Sequence, residues 1–123
     1  GSMKKKILIV EDDDNILNLL NIILSEDYET KLARNGKEAL DCLNDFYPDL
    51  IILDIMMEVM DGITALQKIK ENENTKSIKV VMLSAKCQKS DMIVAKEYGA
   101  VDFITKPFDP VQLKEMVKDL ILK

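Results

Sequence analysis

Short apolar runs alternate along this chain with segments whose apolar residues recur at helical spacing. Ile7-Leu8-Ile9-Val10, Leu50-Ile51-Ile52-Leu53, Val80-Val81-Met82-Leu83 and residues 101–105 have strand length and β-branched character. Residues 30–33 form a shorter, less apolar run, expected at a sheet edge. A helix is predicted from a cap at Asp13 or Asp14 to about Ser25, with Ile16, Leu19, Leu20 and Ile23 along its core face. Asn35 opens a second helix, with Glu38 at capping-box spacing and Ala39, Leu40 and Leu43 turned inward. Pro48 stops that unit. Gly62 turns the chain into a third helix, and residues 71–77 form a polar linker. Residues 91–98 make a fourth helix ended by Gly99. Asp109-Pro110 starts the last one, with Gln112 at its third position and Leu113, Met116, Val117, Leu120 and Ile121 on its core face. The pattern predicts a single α/β domain, a doubly wound (βα)5 unit with helices on both faces of a parallel sheet.

Polar residues end the apolar runs in a consistent way. The first ends in Glu11-Asp12, the third in Asp54, the fourth in Ser84 and the fifth in Lys106-Pro107. Ligands of open parallel sheets collect outside the carboxyl ends of the strands. The fold therefore gathers three carboxylates, a hydroxyl and an ammonium at one spot, a set suited to a metal ion and a phosphate.

Composition narrows the classes. At 123 residues the chain is one domain with room for a core. Gly1-Ser2 before Met3 reads as an expression-tag remnant, leaving residues 3–123 as the domain. No apolar stretch approaches the ~18 residues of a membrane span. The net charge of −5 argues against direct nucleic-acid binding. Lys4-Lys5-Lys6 reads as a solvated edge. Cys42 and Cys87 match no metal or disulfide spacing, which points to a reducing, cytoplasmic location. Histidine is absent, which removes His-based metal sites, Ser-His triads and Cys-His dyads. A phosphohistidine, if one is used, must come from another protein.

Four segments resemble one family. Ile9-Val10-Glu11-Asp12-Asp13, Asp54-Ile55-Met56-Met57 with Met60-Asp61-Gly62, Leu83-Ser84-Ala85-Lys86, and Phe103-Ile104-Thr105-Lys106-Pro107-Phe108 are similar to the receiver domain of two-component response regulators. The match runs from about Lys4 to the end. Each motif alone is weak; all four in order are specific. The resemblance implies a flavodoxin-like sheet in the order 2-1-3-4-5, with Asp54 as phosphoacceptor. It implies Mg²⁺ (or Mn²⁺) held by Glu11, Asp12, Asp54 and the backbone carbonyl of Met56. Ser84 and Phe103 would be the switch pair, Lys106 the active-site lysine and Lys106-Pro107 a cis bond. The implied partners are a sensor histidine kinase or phosphotransfer protein upstream, and a downstream protein or attached effector domain. The domain would catalyse only its own phosphorylation and dephosphorylation. Two positions depart from the family: Glu11 stands where Asp is usual, and Glu58 where proline is usual. On the face through which the winged-helix subfamily dimerises, Gln112 and Met116 replace an ion-pairing Glu and Arg. That salt-bridged dimer is not expected here.

The chemistry supports this reading. Glu11 and Asp12 would raise the pKa of Asp54 by like-charge repulsion, so Lys106 and a divalent ion are needed to offset it. An oxygen-only site with few protein ligands suits Mg²⁺. Phosphoryl transfer is largely positioning and charge stabilisation, and a hydroxyl at Ser84 can bond the new phosphate. Asp13 and Asp14 read instead as acids favoured by a helix N-terminus. Ser84 alone would be an N-cap, Lys106 alone a solvated lysine, and Cys87 an idle thiol. Of Met56, Met57 and Met60, at least one is expected to pack. A haloacid dehalogenase-type hydrolase would want a second Asp where Met56 stands. A nucleotide- or flavin-binding domain would need a phosphate loop where Glu11 to Asp14 repel phosphate. The remaining alternative is a degenerate receiver, acting as an interaction module independent of phosphorylation.

Overall fold

The computed structural model describes residues 3–85 and 89–123. Gly1, Ser2, Lys86 of the Ser84 motif and Cys87 lie outside the described residues. The elements run β1 (Lys6–Val10), α1 (Asp14–Leu24), β2 (Glu29–Ala33), α2 (Gly36–Cys42), β3 (Leu50–Asp54), α3 (Gly62–Glu71), β4 (Lys79–Ala85), α4 (Lys89–Glu97), β5 (Asp102–Lys106) and α5 (Pro110–Leu122). The five strands are parallel, in the order β2-β1-β3-β4-β5.

The sheet sorts its side chains by the period of two. Leu8, Val10, Ile51, Leu53, Val80 and Met82 point to one face, where they meet α2, α3 and Ala95 of α4. Ile7, Ile9, Leu50, Ile52, Val81, Leu83 and Ile104 point to the other and meet α1 and α5. The register Ile7↔Leu50 and Leu50↔Lys79 keeps these sets aligned across three strands. β3 is the middle strand and is buried along its whole length, so Asp54 hangs from the best-packed element of the molecule. Each fully buried Leu or Ile there contributes about 1.5–3 kcal/mol. Ile52→Asp would break this layer.

Several boundaries differ from the sequence expectation. On α1, Leu17, Leu20, Ile23 and Leu24 are buried and Ile16 packs beside them, whereas Leu19 is 44% exposed. The apolar residues of α1 form two overlapping stripes, and the stripe through Leu17 and Leu24 is the one that meets the sheet. Asn35 caps α2 by accepting the Glu38 N–H at 2.9 Å. The Glu38 carboxylate reaches back to the N–H of Arg34 at 3.1 Å, one residue short of the expected box partner. β4 extends to Ala85, and α4 starts at Lys89. Met57 and Met60 pack against the core, while Met56 is exposed.

At the amino ends of the strands, charged side chains reach backbone partners. The Lys6 N–H donates to Asp49 at 2.8 Å, and Lys79 Nζ to the Leu120 carbonyl at 2.6 Å. Lys70 Nζ donates to the carbonyls of Lys76 and Ile78 at 3.0 and 2.7 Å. The polar segment 71–77 is thereby tied down, with the buried Thr75 hydroxyl donating to the Ile69 carbonyl at 2.7 Å. No helix among the described residues is long and apolar enough to cross a membrane.

Candidate functional site

The carboxyl ends of β1, β3, β4 and β5 bring the predicted residues together. Glu11 follows β1 directly, and its N–H donates to the Ala33 carbonyl at 3.1 Å, holding it in line with the strand. Its side chain is buried. One carboxylate oxygen accepts the Asp13 N–H at 3.0 Å, the other Lys106 Nζ at 3.0 Å. Asp13 in turn caps α1, accepting the N–H groups of Asn15 and Ile16 at 2.8 and 3.2 Å. Asp12, between them, is exposed. Carboxylate oxygens of Glu11, Asp12 and Asp54 all lie within 4.8 Å of one another.

Asp54 is 1% exposed. Lys106 Nζ stands 3.1 Å from Oδ1, at ion-pair distance but off the directions of a hydrogen bond, so both carboxylate oxygens lack a hydrogen-bond donor among the described residues. Ser84 is also fully buried, and its Oγ has no hydrogen-bond partner among the described residues. Such orphaned groups are rare in native interiors and call for an explanation. β4 pairs with β5 so that Ser84 lies opposite Thr105, and Ala85 opposite Lys106. Phe103 sits two residues earlier on β5, half-buried against the core. The Lys106–Pro107 peptide is cis. Met56 borders a shallow cavity with Asp12, Met57, Glu58 and Asp61.

The family model of the response regulator receiver domain matches residues 7–118. The chain belongs to that family. It is 37% identical over 117 residues to the transcriptional regulatory protein YclJ of Bacillus subtilis (strain 168), covering 94% of this chain and 50% of that protein. The chain thus spans about half the length of that relative. A response regulator from Chloroflexus aurantiacus J-10-fl superposes with a TM-score of 0.91 at 33% identity, over 98% of this chain and 99% of the other. The receiver domain of the sensor histidine kinase PA1611 from Pseudomonas aeruginosa PAO1 gives a TM-score of 0.89 at 25% identity, over 98% and 99% of the two chains. That structure has a magnesium ion coordinated in its active-site cleft.

The electrostatics of this receiver domain follow from depth. Burial pushes the Glu11 carboxyl up to about 7, against the Asp13 N–H, which pulls it down. Burial also raises Asp54, while its interaction with the neighbouring Glu11 carboxyl and the charge of Lys106 oppose that rise. The sequence suggested like-charge repulsion as the chief cause; burial is larger, and Asp12 contributes less. Burial works against the charge of Lys106, but Glu11 and Asp54 outweigh it and hold its pKa above the ordinary value. One ammonium thus serves two buried carboxylates. The donor set is oxygen only, and the Asp54 oxygens, without hydrogen-bond donors among the described residues, fit a divalent cation.

Three parts of the site had no clear signal in the sequence. The Asp13 N–H orients Glu11. Gly62, expected as a turn and as part of the Met60-Asp61-Gly62 segment, approaches Asp54 so closely that a Cβ would lie 2.0 Å from its carbonyl oxygen. Val59 adopts φ +73°, a conformation unusual for a β-branched residue.

Proposed function

We propose that this receiver domain is a phosphoryl-accepting switch in which Asp54 takes the phosphoryl group from a phosphohistidine of a sensor kinase or phosphotransfer protein. The observation that carries this reading is Asp54 itself, a buried carboxylate with no hydrogen-bond donor on either oxygen among the described residues and an ammonium 3.1 Å away. One Asp54 oxygen attacks phosphorus, the nitrogen–phosphorus bond breaks, and the electron pair leaves with the donor imidazole. Lys106 holds the Asp54 carboxylate ionised for attack and can then pair with a phosphoryl oxygen. Ser84, whose hydroxyl is unengaged, donates to another phosphoryl oxygen. Phe103, two residues along β5 from the position opposite Ser84, is the second member of the switch pair. Glu11, Asp12, Asp54 and the Met56 carbonyl would hold Mg²⁺ (or Mn²⁺), which supplies charge neutralisation for the phosphoryl oxygens when bound.

The change in output surface is passed to a downstream protein or an attached effector domain, in the cytoplasm, without direct nucleic-acid contact by this domain. Apart from its own phosphorylation and dephosphorylation, no substrate turnover is assigned to it. A phosphorylation-independent interaction module would have no use for a buried carboxylate and a buried hydroxyl that both lack hydrogen-bond partners among the described residues. The test is intact mass after incubation with a small acyl-phosphate donor and Mg²⁺. The protein is expected to gain one phosphoryl group, and Asp54→Asn none. Equal modification of both would overturn the assignment.

A further inference from the structure

We infer that Gly36 and Met60 are positioning residues for the loop that presents the Met56 carbonyl to the divalent cation; this rests on the cation reading above. The loop of residues 55–61 is closed at its base, where the Gly62 N–H donates to the Ile55 carbonyl at 2.8 Å. Its outer limb holds Val59 at φ +73°, and the Met60 N–H donates back to the Glu58 carbonyl at 3.0 Å, making a γ-turn. Val59 is 81% exposed, so no packing of its own side chain keeps it there. A β-branched residue leaves this region unless its surroundings prevent it.

The surroundings are α2. The Gly36 N–H donates to the Met60 carbonyl at 3.2 Å. The two backbones approach so closely that a Cβ on Gly36 would lie 2.9 Å from both Met60 Cγ and Met60 O. The Met60 side chain packs on the core cluster, which fixes the residue from its other side. Met56 therefore lies between two clamped points, Gly62 against Asp54 and Gly36 against Met60. Glu11 and Asp54 are held by β1 and β3 independently of the outer clamp. Loosening that clamp lets Val59 relax and shifts residues 56–58, while the carboxylates stay. By linkage, cation binding at the loop tightens the Gly36 contact to the same degree.

The test is Mg²⁺ titration of the whole domain by NMR shifts, for the parent, Gly36→Ala and Lys37→Ala, an exposed neighbour on the same helix. Gly36→Ala is expected to raise the Mg²⁺ Kd about tenfold and Lys37→Ala to leave it unchanged. Phosphoryl incorporation by Gly36→Ala at saturating Mg²⁺ is expected to match the parent, a split that general loss of structure would not give. In the parent, Mg²⁺ is expected to slow amide exchange at Gly36 by about threefold or more. Equal Kd values for the parent and Gly36→Ala would overturn the inference. Should Gly36→Ala not fold, unchanged Gly36 exchange in the parent does so. A parent that binds no Mg²⁺ would instead overturn the cation reading on which it rests.

Discussion

The two ends of the same sheet treat charge in opposite ways. At the amino ends, the Asp49 carboxylate accepts the Lys6 backbone N–H, the Lys70 and Lys79 ammonium groups donate to carbonyls, and the turn of residues 71–77 is stapled by Lys70 and Thr75. At the carboxyl ends, two buried carboxylates share one ammonium, and the side-chain oxygens of Asp54 and Ser84 lack hydrogen-bond partners among the described residues. Both ends sit on the same strands and the same core. The difference shows where stability is spent: one end closes the fold, and the other keeps unmet electrostatic demand that an incoming cation and phosphoryl group would satisfy.

The largest expected effect comes from removing that demand at its centre. Asp54→Asn should abolish phosphoryl incorporation, and in the metal-free state should raise stability by about 1–2 kcal/mol, since one buried carboxylate no longer needs a counter-charge. Urea denaturation in chelator measures this. A metal-free variant less stable than the parent would mean that Asp54 is better satisfied than its geometry indicates.

The next contrast pairs the lysines of the two ends. Lys106→Met strands Glu11 and Asp54 without a cation and should destabilise by about 2–4 kcal/mol at pH 7.5. Lys79→Met loses one bond to a carbonyl, about 1 kcal/mol. Similar losses for the two variants would erase the distinction between the ends.

Acid should narrow the difference. Glu11 titrates near 4.5 when unperturbed and about 7 when folded. Between these values the folded state binds the proton more tightly, so metal-free stability rises as pH falls through that window and is lost as pH rises through about 7. Relative to Glu11→Gln, the parent should gain on the order of 1 kcal/mol between pH 7.5 and 5.5. Parallel pH profiles for the two proteins would refute this.

Two smaller effects concern the surface. Glu58, in place of proline, leaves φ unconstrained, so amides of residues 57–60 should exchange about tenfold faster than those of residues 75–78 in metal-free protein. Matching rates would show that the loop is as firmly held as the stapled turn. Finally, light scattering of the beryllofluoride-activated domain should show no dimer built on ion pairs across α4, β5 and α5. Gln112 carries no charge and Met116 packs against the core cluster beneath α5. A symmetric, salt-bridged dimer on that face would overturn the expectation.

The strand ends were legible in the sequence because a change from an apolar run to Glu11-Asp12, Asp54, Ser84 or Lys106 is local. Parallel order follows once each run is matched to a helix. Depth was not legible. Spacing places Asp12 near Asp54, but only the packed structure shows that burial outweighs repulsion in raising Asp54. The face of α1 was misjudged at Leu19 because apolar residues run almost around that helix, with Leu19 and Ile22 left outside. The conformation of Val59 had no local signal, since it is held by contacts with α2, twenty-odd residues upstream.

Gly62 carries a consequence for mutational tolerance. Any replacement there places a Cβ 2.0 Å from the Asp54 carbonyl oxygen, a wall of backbone that cannot rotate away. Gly36 differs in degree, because a Cβ there would lie 2.9 Å from Met60 Cγ and from the Met60 carbonyl oxygen, atoms of a loop rather than of a central strand. In a saturation library selected for folding alone, position 62 should therefore accept no other residue, while position 36 keeps a minority of small ones. The residue packed against Asp54 is in this sense closed to variation before any question of signalling arises.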